Sequence, residues 1–281
     1  MKDKRNTGKK VRNFLFYAGL LLWALVSLFP FYWLTVMSTR TSSEFFRFPP
    51  VMVPGGSFLS NMEALFTIID FPRAVVNSLI VSGTKTGLAL FFCSMTAFYF
   101  AKFRFPGRKF LYSFLLMTMM IPQQLLMIPQ LIMMGKLGWI STLKALIIPG
   151  MIPAFGIFWM TQYCQGAIHD DLLNAGRIDG CGTFRLFWNI GFPITIPGLS
   201  FLAIHTFVNS WNDFLWPLIV LNDQKVYTVQ VALGQLQGMF TKTDYGAVMC
   251  GTVLATLPIV IIFLICNKFF IAGIAAGGVK D

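Results

Sequence analysis

Residues 174–193 read NAGRIDGCGTFRLFWNIGFP. Apolar runs flank the stretch on both sides. Within it Asn174, Arg177 and Asp179 are polar, and Gly176, Gly180 and Gly182 follow in quick succession. Just upstream, Asp170 and Asp171 suit the first turn of a helix, where carboxylates meet the positive end of the helix dipole. Leu172, Ala175, Gly176 and Asp179 recur at i, i+3, i+4 and i+7, which is one helical face, small at its middle. Gly180 is placed to take the left-handed conformation that ends a helix. Thr183 can cap a second short helix over 184–190, after which Gly191 and Pro193 open the next apolar run. The pattern predicts a helix-turn-helix elbow. Its small face suits close approach by another protein, and a loop folded back onto its own bundle is the competing reading.

The rest of the chain explains why a polar elbow stands out. Of 281 residues, 56 % are hydrophobic and 12 % charged, against about 25 % charge in a soluble domain. Six apolar runs, at 14–37, 74–101, 110–134, 145–163, 193–221 and 245–267, approach or exceed the roughly 20 residues that cross a bilayer as a helix. Helix is the practical choice, because backbone facing lipid must satisfy its own hydrogen bonds. A strand barrel would need shorter segments of alternating polarity. The composition and runs predict an all-α integral membrane protein with six transmembrane helices.

Lys and Arg set the orientation. With the basic N-terminus MKDKRNTGKKVR inside, 14 of the 22 lysines and arginines fall on the inner side and seven outside, and Lys85 lies within a span. Both termini are then cytoplasmic, and the elbow lies in the inner loop 164–192. The net charge of +11 reads as topology and contact with anionic membrane lipid. The cations are dispersed around helix ends, which argues against a nucleic-acid partner. The first run is too long for a signal-peptide core and is expected to be retained. The five cysteines show no CxxC spacing and read as thiols, with no metal site. In the longest outer connection, 38–73, NMEALFTIIDF predicts a short interfacial helix. Prolines 122, 129, 149, 153, 217 and 258 fall inside runs and are expected to kink them.

The stretch 174–198, NAGRIDGCGTFRLFWNIGFPITIPG, resembles the coupling motif of ABC-importer permeases, with Asp179, Gly180, Phe187, Ile190 and Pro193 on matching positions. NSLIVSGTKT, AFYFAKFRFPGRK, MIPQQLLMIPQ, NSWNDFLWPLIVL and the ending AAGGVKD are similar to the carbohydrate-uptake, maltose-permease-like branch, so the resemblance spans roughly residues 10–281. It implies a type I ABC importer permease fold. The expected divisions are a basic cytoplasmic segment 1–13, a transmembrane permease domain 14–272 and a cytoplasmic tail 273–281. The implied function is the permease subunit of an ATP-driven, binding-protein-dependent sugar or oligosaccharide importer in the bacterial cytoplasmic membrane, working by alternating access. The implied partners are a second homologous permease subunit, two ATP-binding cassette ATPase subunits and an extracytoplasmic sugar-binding protein. No cofactor is expected on this chain, which is no enzyme; ATP and Mg belong to the ATPase subunits. The resemblance places Asp170, Asp171, Asn174, Ala175, Gly176, Asp179 and Gly180 at the ATPase contact. The family's Glu-Ala-Ala stands here as Asn174-Ala175-Gly176, and Asp170 or Asp171 is expected to replace the missing acid.

Two further groups complete the sequence-level site. Lys85 and Asp213 are the charges inside spans, where a buried charge needs a partner or a watery cavity. Counting rise per residue puts them at about 16 Å and about 12 Å from the outer ends of their spans, so they are expected to pair or to line one cavity. Trp211, Asn212 and Trp216 surround Asp213 and offer the aromatic faces and amide groups a sugar needs, or else an interfacial belt with a packing Asn. In the outer loop 222–244, Gln235, Gln237, Gly238 and Met239 resemble the loop that probes the binding protein; a solvated loop is the plainer reading. His169 and His205 show no ligand spacing. Two other readings remain open: the same machine carrying a polyol or glycerol-phosphate-type substrate, and an ion-coupled secondary transporter using Lys85, Asp213 and His205.

Overall fold

The computed structural model describes the backbone of residues 2–237 and 243–278 and the side chains of residues 9, 12–237 and 243–266. Every regular element among them is helical. The chain forms two compact units, Met1–Ile69 with Gln235–Leu254 and Asp70–Gly234 with Ala255–Asp281.

The first unit opens with α1 (Lys2–Ser38), whose apolar part, Arg12–Ser38, has 27 residues and is long enough to cross a bilayer. Its side chains are exposed from Phe14 to Tyr32 and become buried only at Val36, Met37 and Ser38. The following turn closes on itself: Arg40 donates to the Val53 carbonyl at 2.7 Å and pairs with Glu44 at 3.2 Å. A short helix is present where NMEALFTIIDF predicts one, as α2 (Phe58–Ile68), and buried Asn61 donates to the Ser38 and Arg40 carbonyls, both at 2.8 Å.

The second unit is built on α3 (Phe71–Lys102), an unbroken helix of 32 residues. The Asp70 side chain accepts from the Arg73 amide, and Pro72 sits in the first turn, where its missing donor costs nothing. The third run divides into α4 (Arg108–Thr118) and α5 (Met127–Lys136), with a 92° bend between the two halves. Pro122 lies at the break: it has no N–H to donate and disfavours helix at the residue before it.

The fourth run, 145–163, departs from its expected form. One turn of helix, α6 (Lys144–Ile147), is followed by an irregular stretch and then by α7 (Ala154–Ala167), 14 residues long. Such a helix rises about 21 Å, short of the hydrocarbon thickness. Pro149 and Pro153 bracket the break, and Gly150 holds φ +92°, a left-handed backbone that no helix continues through.

The elbow helices α8 (Asp170–Ile178), α9 (Thr183–Leu186) and α10 (Phe192–Ile194) lead into α11 (Ile196–Trp211), bent 77° from the segment before it. The fifth run breaks again before α12 (Leu215–Val220); α13 (Val229–Gln235) follows. The last helix, α14 (Tyr245–Gly278), carries the sixth run. By length and composition, three described helices can cross a membrane, and five if each bent pair is one crossing.

In this unit α7 packs against α3 and α11 around Cys93, Ala97, Phe98, Met160, Cys164 and Leu202. Gly156 makes this approach possible: a Cβ there would lie 2.9 Å from Cys93 Sγ and 3.1 Å from a Leu202 methyl. Small residues at such crossings replace the hydrophobic drive that lipid does not provide. The five cysteines are all free thiols.

Candidate functional site

The elbow is held to its own bundle by charge, aromatic packing and close fit. Asp170 opens α8, and its Oδ1 lies 2.9 Å from the Nζ of Lys102, the last residue of α3. That hydrogen bond, then the charges of Lys102, Arg177 and Arg104, hold the Asp170 carboxyl below the usual carboxylate range. Arg177 donates to the Asn174 Oδ1 at 2.9 Å, and its guanidinium sits 5.5 Å from the centre of the Phe103 ring. Gly180 takes φ +78°. The Cys181 amide reaches back to the Gly176 carbonyl at 2.9 Å and the Gly180 amide to the Arg177 carbonyl at 3.0 Å, the paired bonds of a glycine-ended helix.

Two details differ from the sequence reading. The residue that caps the second helix is Gly182, in extended conformation, and Thr183 is already helical. That helix also runs on, through a π-helical turn at Phe187–Gly191 and into α10. The wider π turn carries an extra residue against α3, where a Cβ on Gly191 would stand 2.7 Å from the Phe98 ring.

The face expected to be small and outward is split. Gly176 points inward with Leu173, and both are buried. A Cβ on Gly176 would lie 2.6 Å from a Leu186 methyl and 2.9 Å from one of Ile190. Its smallness therefore serves the packing of α8 on its own second helix. Asp171, Asn174, Ala175, Asp179 and Gly180 are exposed. Beside them stand large apolar side chains: Ile178 is 86 % exposed, Phe184 58 % and Trp188 49 %. Trp188 stacks between Phe184 and Phe192, with interplanar angles of 11° to each. Sequence reading missed Lys102, Arg177 and these exposed apolar residues; the cation pair of KFRF, at the end of the apolar run 74–101, was the available signal.

Lys85 and Asp213 lie within electrostatic reach of each other, but they form no ion pair: among the described residues those are Arg40–Glu44 and Lys102–Asp170. The end of the Lys85 side chain lies against Gly150, 3.6 Å from where a Cβ would stand. On α3, the hydroxyls of Ser82 and Thr86, which flank Lys85, are buried without partners.

The two tryptophan side chains are buried. Trp211 is 1 % exposed and donates its indole N–H to the Ala255 carbonyl at 3.1 Å. Trp216 is 6 % exposed and donates to the Ala145 carbonyl at 3.0 Å, within a cluster that includes Val81, Met134 and Val220. Asn212 is exposed and accepts from Gln230 at 3.3 Å. His205 pairs with Asn209 at 3.0 Å. In the connection 222–244 Gln235 and Gln237 are exposed, while Gly238 and Met239 lie outside the described residues. Among the described residues no group of His, Cys, Asp and Glu could hold a metal ion.

Comparison with known proteins adds to this geometry. The profile of the family described as "Binding-protein-dependent transport system inner membrane component" matches residues 89–275, well over half of the chain. The chain is 34 % identical over 280 residues to the arabinooligosaccharides transport system permease protein AraQ of Halalkalibacterium halodurans, covering 99 % of both chains. It is 31 % identical to the lactose transport system permease protein LacG of Rhizobium radiobacter, covering 97 % of this chain and 98 % of that one. Among solved structures it superposes with a TM-score of 0.80 on a chain of a bacterial ABC transporter involved in the import of the acidic polysaccharide alginate, at 20 % identity over 94 % of this chain and 98 % of that one. The last likeness concerns the fold. Family membership displaces the ion-coupled carrier, and it makes ATP the business of other subunits. The chain belongs to the binding-protein-dependent transport system inner membrane component family: it is a membrane-embedded, multi-pass permease subunit of an ABC-type importer, not an enzyme.

Proposed function

We propose that this permease passes a sugar or oligosaccharide across the bacterial cytoplasmic membrane by alternating access. It does so beside a second homologous permease subunit, below an extracytoplasmic sugar-binding protein and above two ATP-binding cassette ATPase subunits. The observation that carries the reading is the two-faced elbow. Its inner face is sealed onto the bundle by Leu173, Gly176 and the Lys102–Asp170 pair. Its outer face leaves Ile178, Phe184 and Trp188 in the open. A rigid body with an apolar outer face suits a groove on another protein, and movement of that body passes to α3 and α11 through buried side chains. The sugar assignment is supported by the cargoes in the names of the two curated relatives.

In this reading Asp171, Asn174, Ala175, Asp179 and Gly180 meet the ATPase subunit. Asp170 holds the elbow to α3 and Gly176 sets its thickness. The missing acid at Asn174 falls to Asp171, since Asp170 is engaged by Lys102. The membrane is crossed six times within 14–272, with 1–13, 164–192 and 273–281 cytoplasmic; the crossings are α1, α3, the bent pair α4–α5, the α6–α7 segment, the bent pair leading through α11, and α14. Gln235, Gln237, Gly238 and Met239 meet the binding protein. Lys85 and Asp213 line the substrate path, where Ser82 and Thr86 add hydroxyls, and Asn212 is the neighbouring exposed amide. Trp211 and Trp216 shape the wall from behind.

A polyol or glycerol-phosphate-type cargo is the second reading, favoured by one observation: among the described residues no carboxylate lies at ion-pair distance from Lys85. Uptake by proteoliposomes holding the whole complex separates the two. ATP-dependent accumulation of labelled neutral oligosaccharide is expected. Accumulation of a phosphorylated polyol alone would overturn the sugar assignment.

A further inference from the structure

At the elbow end of the second unit, where α3 ends, α4 begins and α7 passes, lies a cavity of about 710 Å³. Phe100, Phe105 and Tyr112 form part of its wall, with ring centres 5.8 Å (Phe100–Phe105) and 5.4 Å (Phe100–Tyr112) apart. The Tyr112 hydroxyl accepts from Gln162 at 3.1 Å, which fixes that ring. Arg104, Arg108 and Lys109 also line the cavity, and among the described residues no carboxylate does. The sequence explains the imbalance: between Asp70 and Asp170 the chain has neither Asp nor Glu. The acid at this end, Asp170, feels Arg104 but makes its ion pair with Lys102. The α4 helix, 11 residues long, starts at the same place with no side-chain cap, so its positive end adds to the three cations.

A cavity with a cationic mouth and aromatic walls, at the end of membrane-crossing helices, has the chemistry of an amphiphile with an anionic head. Phosphate oxygens would accept from the two guanidiniums and the ammonium. The glycerol and first methylenes would lie on the rings. The volume falls within the range of small-molecule sites, and basic pockets between spans hold phospholipid heads in this way. We propose that this cavity is a binding site for the phosphate headgroup of an anionic phospholipid. The proposal concerns neither cargo nor ATPase docking and stands apart from both.

The test is native mass spectrometry of the purified complex titrated with phosphatidylglycerol, with phosphatidylcholine and with inorganic phosphate. One phosphatidylglycerol is expected to stay bound where phosphatidylcholine is lost. Each of Arg104→Gln, Arg108→Gln and Lys109→Gln should weaken it about five-fold, and the triple variant on the order of a hundred-fold. A Lys136→Gln, Lys144→Gln control, at exposed residues of the same unit that do not line the cavity, should leave it unchanged. If inorganic phosphate displaces the lipid at low millimolar concentration and binds as tightly alone, the site is for free phosphate and the lipid assignment is overturned. Should the triple variant fail to assemble, a phosphatidylglycerol with a photoreactive head decides on the wild-type complex. Labelling within 100–112 and 161–165 is expected. Labelling spread evenly over the membrane surface, or absent there, would overturn the proposal.

Discussion

The elbow and the Lys85–Asp213 neighbourhood both place charge in an apolar molecule, and they use it in opposite ways. At the elbow, Asp170 meets Lys102 at 2.9 Å, and Arg177 is fixed by Asn174 and Phe103. Within the bundle, Lys85 and Asp213 sense each other and stop short of an ion pair. Charge that is paired fastens a joint. Charge left apart at depth stays available to water or cargo, at the cost such groups carry in a membrane. In the proposed reading, the difference separates a part that transmits force as a solid from a part that keeps changing its contacts.

Breaking the solid part should have the largest effect. Gly176→Leu forces a side chain into space already held by Leu186 and Ile190. ATP-dependent uptake should fall on the order of a hundred-fold, while Gly176→Ala loses less because those methyls can shift. Near-normal uptake by the leucine variant would mean that elbow packing does not matter. Next comes the open pair. Lys85→Met or Asp213→Asn should each lower uptake about ten-fold through KM, with the double change little worse than either, as coupled groups behave. Independent, additive losses would place the two on separate surfaces.

The tryptophans sharpen the contrast from the other side. Trp211→Phe or Trp216→Phe removes the indole hydrogen bond to the Ala255 or Ala145 carbonyl, a cost of about 1 kcal/mol. The melting temperature should drop while cargo preference holds. A changed preference at unchanged stability would return these rings to the cargo surface. The smallest effect belongs to Asp170. Its carboxyl is held below the usual range, so its contribution is present above the ordinary carboxylate pKa and is lost as pH falls through the lowered one. Coupling should stay flat across neutral pH and decline only in acid. Asp170→Asn should already show the weakened state at neutral pH, read as a few-fold drop in uptake per ATP at constant ATPase rate.

Local signals were legible in the sequence. Asp170 begins a helix, Gly180 ends it in the left-handed region, and the long apolar runs become α1, α3 and α14. What sequence did not reveal depends on partners far along the chain. Gly176 read as outward because periodicity marks a face without saying which neighbour covers it; Leu186 and Ile190 decide that. For Trp211 and Trp216 the sequence left a sugar platform and an interfacial belt both open, because their carbonyl partners lie 44 and 71 residues away. The run at 145–163 looked continuous because hydropathy is blind to backbone angle, and Gly150 at φ +92° breaks it.

The most direct measurement places a photoreactive amino acid at Ile178, the outermost side chain of the elbow, in the assembled importer. Irradiation should join this chain to the ATP-hydrolysing subunit, and the yield should change when ATP closes that subunit's dimer. Cross-links only to lipid or to this chain itself, in a complex that still transports, would contradict the account.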